Sequence, residues 1–135
     1  MDNRPIGIFD SGVGGLTVAK EILKALPNEN IVYFGDTARV PYGDKSKEVV
    51  TKYSKQIVRF LLTKNVKAII TACNTVSSNS LDDLRSEFDV PFVGVVEPGV
   101  KSVINTTVNK KVGIIGTEAT IRSCMYSRLI HEADS

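Results

Sequence analysis

The chain has 135 residues, of which 42% are hydrophobic and 24% are charged, a balance typical of a folded globular protein. Seventeen Lys and Arg against fifteen Asp and Glu leave a formal charge of +2, and the basic residues are scattered, so nucleic-acid binding is not expected. Two cysteines without a CxxC pair and a single histidine argue against a disulfide scaffold or a metal site.

The sequence also lacks the apolar segments that direct a protein into a membrane or out of the cell. No apolar stretch approaches the length of a bilayer span, and the opening residues MDNRPIGIFDSG contain no secretory signal block. We therefore expect a cytoplasmic protein without a membrane partner.

Five short apolar runs punctuate the chain, and each predicts a β-strand. They are continuously apolar rather than alternating, as strands buried on both faces of a parallel sheet must be. In chain order they are PIGIFD (5–10), NIVYFGD (30–36), VKAIITA (66–72), VPFVGVV (90–96) and KKVGIIGT (110–117).

Helical patterns occupy the segments between these runs. The first carries one apolar stripe, made of Leu16, Ala19, Ile22, Leu23 and Leu26. The second begins at an N-cap, Ser46, and directs six side chains inward: Val49, Val50, Tyr53, Ile57, Phe60 and Leu61. Two shorter patterns are marked by Leu81, Leu84, Arg85 and Phe88 and, after Thr117, by Ile121, Tyr126 and Leu129. This alternation predicts an α/β fold, an open parallel sheet with helices on both faces.

The last predicted strand stands apart from the other four. We interpret Glu97-Pro98-Gly99 as a turn that ends a first α/β lobe, residues 1–97, and begins a second, residues 98–135. That second lobe has one strand and one helix, whereas a parallel strand needs neighbours and covering helices. The sequence therefore predicts an incomplete, truncated second lobe.

Polar side chains gather where the predicted strands end. In open α/β sheets, ligands bind beyond the carboxyl ends of the strands. The residues there are Asp10-Ser11-Gly12, Asp36 with Pro41-Tyr42-Gly43, Cys73-Asn74-Thr75, Glu97, and Thr117-Glu118-Ala119-Thr120. Hydroxyl, amide, carboxylate and thiol groups of this kind suit a small ligand that carries carboxylate and amine groups.

Simpler structural roles exist for several of these residues. SGVGG (11–15) fits neither GxGxxG nor the GxxxxGK[ST] phosphate loop, which disfavours a nucleotide site. Asp10 and Asp36 taken singly are better explained as caps of helices or turns. His131 lies near the end of the last helix, and its position does not suggest a pair with Cys73.

Cys73 admits two interpretations from its local sequence. A free cysteine is commonly a small buried hydrophobic residue, which is also our interpretation of Cys124 inside the last helical pattern. Cys73, however, precedes an unusually polar helix start, where the helix N-terminus lowers a thiol's pKa, although burial in apolar surroundings acts the other way. Because Cys73 lies beside the polar ends of other predicted strands, we favour the interpretation that its thiol takes part in chemistry.

Five blocks of the sequence, in this order, resemble the first half of bacterial glutamate racemases, in the cofactor-independent aspartate/glutamate racemase superfamily: GIFDSGVGGLTVAKEI, YFGDTARVPYG, ITACNTVSS, GVVEPG and GIIGTEATIRSCMY. The resemblance covers essentially the whole chain. It implies interconversion of L- and D-glutamate without pyridoxal phosphate, metal or other cofactor, which supplies D-glutamate for peptidoglycan.

The resemblance also implies roles for single residues. Family members use two cysteines on opposite faces of the substrate, and Cys73 matches the first of these by its ACNT setting, so we expect it to be the base. Asp10 matches the residue that orients or assists that thiol. Substrate-binding roles are implied for Ser11, Pro41, Tyr42, Gly43, Asn74, Thr75, Thr117 and Thr120.

One departure from the family limits what this chain is expected to do. The second cysteine, with its adjacent Thr-His, belongs to the half of the family sequence that has no counterpart here, and Cys124 falls in a different helix. We therefore expect the 135-residue chain alone to be inactive. The alternatives are an inactive fragment that only binds dicarboxylates or a partner protein, and a related cysteine-dependent enzyme such as an aspartate racemase. For full-length family members, the resemblance leaves a homodimer open.

Overall fold

Four parallel strands form a single sheet in the computed structural model, which describes residues 2–134. They are β1 (Ile6–Asp10), β2 (Ile31–Gly35), β3 (Ala68–Thr71) and β4 (Phe92–Gly94), arranged in the order β2-β1-β3-β4. Ile8 of β1 lies opposite Tyr33 on one side and Ile70 on the other. The first four predicted strands and their parallel arrangement are confirmed.

Seven helices join and follow these strands within residues 2–134: α1 (Leu16–Ala25), α2 (Lys47–Leu62), α3 (Asn74–Asn79), α4 (Leu81–Glu87), α5 (Val96–Thr106), α6 (Glu118–Arg122) and α7 (Met125–Asp134). Ser46 caps α2 as predicted, because its hydroxyl accepts a hydrogen bond from the Val49 backbone N–H at 3.3 Å. In this part of the chain, none of the helices is both long and apolar enough to cross a bilayer.

The sheet is covered on both faces, as the apolar runs predict. On one face Ile8 packs with Ala19 of α1 and with Ile70. On the other, Phe9 and Ile69 belong to a larger core with α2, α3 and α4, whose buried members include Val50, Ile57, Leu61, Val76 and Leu84. Neighbouring residues of β1 thus serve two separate cores, because successive side chains of a strand point to opposite faces.

Some side chains predicted to face inward are exposed instead. In α1 only Ala19 is buried, whereas Leu16 and Leu23 are 51% and 50% exposed. In α2 the same holds for Phe60, although Ile57 and Leu61 are buried as predicted. The contact between α1 and the sheet is narrow and centred on Ala19, so the flanks of its apolar stripe extend past the contact.

The predicted fifth strand is wrong. Residues 111–117 have no regular secondary structure, and Lys110 has a φ of 56° in the left-handed region. Within residues 2–134 no strand pairs with this run, and Ile115 is 99% exposed. An apolar run becomes a strand only when a neighbour takes up its backbone hydrogen bonds.

The predicted turn at Glu97-Pro98-Gly99 is also wrong, because these residues lie in the first turn of α5. Proline is tolerated there, since the first N–H groups of a helix have no intrahelical acceptor. Helix α5 runs across the predicted boundary, and the division into lobes 1–97 and 98–135 stays a prediction.

The single helix predicted after Thr117 is two helices, α6 and α7. They are separated at Cys124, which has a φ of 55° in the left-handed region. Cys124 is exposed rather than a buried structural residue inside a helix. A helix cannot continue through a left-handed residue, so the chain changes direction there.

Candidate functional site

The site lies where the carboxyl ends of β1 and β3 meet. These central strands are neighbours, and the connections that follow them lead to opposite faces of the sheet, which is the switch point where open α/β sheets bind ligands. Asp10 and Ser11 stand at the end of β1, and Cys73 stands just after β3. The structure brings them together: the Cys73 thiol donates to the Ser11 hydroxyl at 3.5 Å.

Asp10 holds the turn that leads into α1. Its two carboxylate oxygens accept hydrogen bonds from the backbone N–H groups of Ser11 and Gly15, each at 2.7 Å, and the residue is buried. Gly15 is needed for this close approach, because a Cβ atom there would lie 2.7 Å from Cβ of Asp10 and 2.9 Å from Cβ of Ala72. Asp10 therefore has the capping role while it also lies beside the thiol.

Cys73 is the N-cap residue of α3 and is only 6% exposed. Burial raises the pKa of its thiol, and the negative charge of Asp10 adds to that increase. Hydrogen bonds with Ser11 and with the Val76 N–H lower the pKa but do not outweigh burial. The net direction is opposite to what the polar helix start predicts, because burial of the thiol itself is the largest influence on its pKa.

The loop Pro41-Tyr42-Gly43 is anchored through Tyr42. This side chain is 2% exposed, and its hydroxyl donates to the Asp36 carboxylate, which also binds Arg39 Nε at 2.6 Å. Burial and the Asp36 hydrogen bond raise the pKa of Tyr42 well above its usual range. Asp36 therefore anchors this loop as well as ending β2. Arg39, which sequence analysis missed, stacks 4.2 Å over the Tyr53 ring.

Three threonines connect α3 to the start of α6. The Thr75 and Thr117 hydroxyls are 2.8 Å apart, and those of Thr117 and Thr120 are 3.0 Å apart. Thr117 caps α6 by accepting the Thr120 N–H at 3.2 Å, while the Gly43 carbonyl accepts the Ala119 N–H at 2.9 Å. The segment 117–120 is thus docked between the Pro41–Gly43 loop and α3.

Asn74 begins α3 and is exposed, with its Oδ1 accepting a hydrogen bond from the Tyr126 hydroxyl at 2.5 Å. An open cavity of about 430 Å³ lies beside this pair, and its lining includes Asn74, Thr117, Thr120 and Tyr126 but neither Cys73 nor Ser11. Tyr126 was missed as a site residue, since its apolar spacing in the last helical pattern predicts only packing.

Other residues considered from sequence lie elsewhere. Glu97 pairs with Arg85 at 3.2 Å, and His131 contacts the Ser127 carbonyl within α7 through Nδ1 at 2.6 Å. Across the described part of the chain, no group of three or more His, Cys, Asp or Glu side chains is placed to hold a metal ion. The arrangement instead offers a buried thiol, a carboxylate and a series of hydroxyl and amide groups along one sheet edge.

Comparison with known sequences identifies the relatives of this chain. A sequence model described as Asp/Glu/Hydantoin racemase matches residues 6–135. The chain is 52% identical to the glutamate racemase of Lactococcus lactis subsp. cremoris (strain MG1363) over 135 residues, which is 100% of this chain and 50% of that protein. It is 55% identical to the glutamate racemase of Geobacter metallireducens over 130 residues, or 96% of this chain and 48% of that protein. The chain spans about half the length of the curated relatives it matches.

Solved structures agree with the sequence comparison. A glutamate racemase isoform from Bacillus anthracis superposes with a TM-score of 0.95 at 44% identity, covering 99% of this chain and 50% of that one. The glutamate racemase of Francisella tularensis in complex with D-glutamate gives a TM-score of 0.88 at 47% identity, covering 98% of this chain and 49% of that one. The racemase model matches residues 6–135, and the solved structures share the fold of the chain at 44% and 47% identity. The chain therefore belongs to the Asp/Glu/Hydantoin racemase family.

Proposed function

We propose that this chain supplies the first acid/base thiol and much of the substrate-binding surface of a glutamate racemase. The observation that carries the proposal is the contact between Cys73 and Ser11 at the sheet's switch point, with Asp10 beside them. We propose glutamate as the substrate because relatives at about 50% identity are named glutamate racemases. The biological role we propose is the supply of D-glutamate for peptidoglycan in the cytoplasm.

In the proposed reaction Cys73 acts as the base on one face of the substrate. Its thiolate takes the proton from Cα, leaving the electron pair of the C–H bond on a planar carbanion conjugated with the α-carboxylate. A thiol on the opposite face then donates a proton to Cα, which inverts the configuration. A group that serves as either acid or base near neutral pH suits such a reversible transfer.

Burial of Cys73 has a direct consequence for this step. The thiol is held in its protonated form more firmly than an exposed cysteine would be. Ionisation must therefore be assisted once substrate is bound, and the substrate's ammonium group is a suitable positive charge to favour the thiolate. Asp10, beside the thiol, is suited to bind that ammonium and hold Cα over the Cys73 sulfur.

Carboxylate binding is assigned to the polar groups on both sides of the thiol. Ser11, Thr75, Thr117 and Thr120 offer hydroxyl donors, and Pro41, Tyr42 and Gly43 form a loop tied to the start of α6. Donors fixed in advance stabilise the negative charge that develops on the α-carboxylate as the proton leaves Cα. Asn74 completes this set.

The proposal is tested by racemisation in a chain that contains both halves of a racemase. We would join the chain after Ser135 to the second half of the Lactococcus lactis enzyme and follow L- and D-glutamate by optical rotation. The joined chain should interconvert them, and Cys73→Ala should lower kcat/KM by about 10² to 10⁴-fold, the usual contribution of an acid/base group. Cys124→Ala is the matched control and should leave the rate unchanged.

Two results would contradict this assignment. Racemisation at an undiminished rate in Cys73→Ala would remove the thiol from the mechanism. Racemase-like rates from the unextended 135-residue chain would contradict the need for a second thiol from outside residues 1–135.

Turnover of aspartate in preference to glutamate would keep the chemistry and change the substrate to that of an aspartate racemase. Glutamate binding without turnover in the joined chain would support the binding-only alternative.

A further inference from the structure

Tyr126 joins three helices at the edge of the cavity described above. It lies in the first turn of α7, and its ring packs on Gly99 of α5, where an added Cβ would lie 3.3 Å from the ring. Its hydroxyl reaches Asn74, the first residue of α3, at 2.5 Å. A residue far along the chain thus contacts a side chain next to Cys73.

This contact determines which way the Asn74 carboxamide faces. The side chain of asparagine has an oxygen that accepts and an NH2 group that donates. Burial raises the pKa of Tyr126 above its ordinary value of 10.0, so the phenol stays protonated at neutral pH and donates to Oδ1. With Oδ1 turned toward Tyr126, the NH2 group of Asn74 is directed away from it, on an exposed residue that lines the cavity together with Thr117 and Thr120.

We propose that Tyr126 is a positioning residue that locks Asn74 with its N–H donors toward the substrate, so that Asn74 selects a carboxylate and not the ammonium group. The inference rests on the proposed function, from which it takes glutamate as the ligand. Its physical basis is that an amide nitrogen donates to a carboxylate oxygen but cannot accept from an ammonium.

The test uses two conservative variants and calorimetric titration of the whole chain with L- and D-glutamate. Asn74→Asp keeps the shape and the acceptor for Tyr126 but replaces the donors with a negative charge, so glutamate should bind at least about tenfold more weakly. Tyr126→Phe removes only the hydroxyl and should weaken binding about three- to tenfold.

A second readout separates positioning from a merely structural role. Glutamine and isoglutamine each replace one carboxylate of glutamate with an amide. In Tyr126→Phe the Asn74 amide is free to turn. The ratio of affinities for glutamate and for one of these two amides should therefore fall by about three- to tenfold. A packing defect would weaken all three ligands equally and leave both preferences unchanged.

The outcomes distinguish this inference from the proposed function. Unchanged or tighter glutamate binding by Asn74→Asp, or unchanged preferences in Tyr126→Phe, would overturn the inference alone. If the wild-type 135-residue chain by itself binds neither enantiomer, the proposed function is decided by the joined chain alone, and amide NMR of the ligand-free chain decides the orientation. The Asn74 NH2 signals, identified by their loss in Asn74→Asp, should then move in Tyr126→Phe while those of Asn79, bonded to the Thr75 carbonyl, stay in place. Unmoved Asn74 signals would overturn it.

Discussion

Cys73 shows how a single residue can carry opposing influences on its chemistry. Its place at the start of α3 and its contact with Ser11 favour the thiolate, while its burial and the nearby Asp10 favour the thiol. Burial is the largest of these effects, so the free protein keeps Cys73 protonated. In the proposed mechanism, the base is produced when substrate brings its positive charge to the site.

This balance predicts how Cys73 reacts with iodoacetamide. Because only a thiolate is alkylated and the pKa of Cys73 is raised, its rate should still be climbing as pH passes the ordinary thiol value of 9.0. At neutral pH the exposed Cys124 should be alkylated first. Peptide mass spectrometry across a pH series measures both rates, and the midpoint of the Cys73 curve does not depend on how accessible the thiol is. A midpoint for Cys73 below 9.0 would show a stabilised thiolate instead.

The residues beside Cys73 differ in how well sequence predicts them. Asp10, Ser11 and Cys73 follow apolar runs, so their place at the sheet edge can be predicted from strand ends alone. Arg39 and Tyr126 could not be found this way, because their roles depend on contacts with Asp36 and Asn74 that exist only after folding. Helical spacing assigns Tyr126 a packing role and contains no sign of its hydroxyl's partner.

At the scale of elements, apolar runs predict strands well only where the fold supplies neighbours. β1 to β4 pair with one another, whereas the similar run at residues 110–117 lies outside the sheet. The same dependence on context explains the error at Pro98. The sequence predicts a loop there that ends the first lobe, whereas the structure places Pro98 inside the helix α5, near its start. Local composition does not reveal which backbone groups will find partners.

Docking of α6 on the Pro41–Gly43 loop is possible because Gly43 has no side chain. A Cβ at Gly43 would lie 2.5 Å from Cβ of Thr117, so Gly43→Ala should push α6 away and lower the free energy of unfolding by about 1–3 kcal/mol. Denaturant titration measures this loss. Gly113→Ala is the matched control, because no atom lies within 4 Å of its added Cβ.

Hydrogen exchange at Ala119 reports the same docking directly. Its N–H donates to the Gly43 carbonyl and should exchange faster in Gly43→Ala than in Gly113→Ala. Equal exchange and equal stability in the two variants would show that α6 does not depend on close approach to the loop.

At the scale of the whole molecule, two groups stand out among the large apolar side chains on the surface of the described chain. One is the flank of α1 with Leu16 and Leu23, and the other is the irregular segment 107–117, where Val108 and Ile115 are 98% and 99% exposed. A segment of this kind exposes backbone groups that elsewhere in the chain are held in helices and strands. It should be the least protected part of the described chain.

Hydrogen exchange followed by mass spectrometry tests this expectation. Peptides from residues 110–117 should exchange at the earliest time points, whereas peptides from β1 and β3 should stay protected, because their amides lie in the buried sheet. Dilution of the sample is the control. Protection of the segment that disappears on dilution would mean that a second copy covers it, and protection at every concentration would contradict the unpaired conformation.

The most direct test of the account is deuterium uptake at Cα of glutamate in D2O, measured by proton NMR with the joined chain. Because the thiol on the far face carries a solvent-derived deuteron, each inverted molecule should gain deuterium at Cα. Cys73→Ala should slow that uptake by about 10² to 10⁴-fold, while Cys124→Ala should leave it intact. Uptake that continues unaffected in Cys73→Ala would contradict the claim that Cys73 removes the proton.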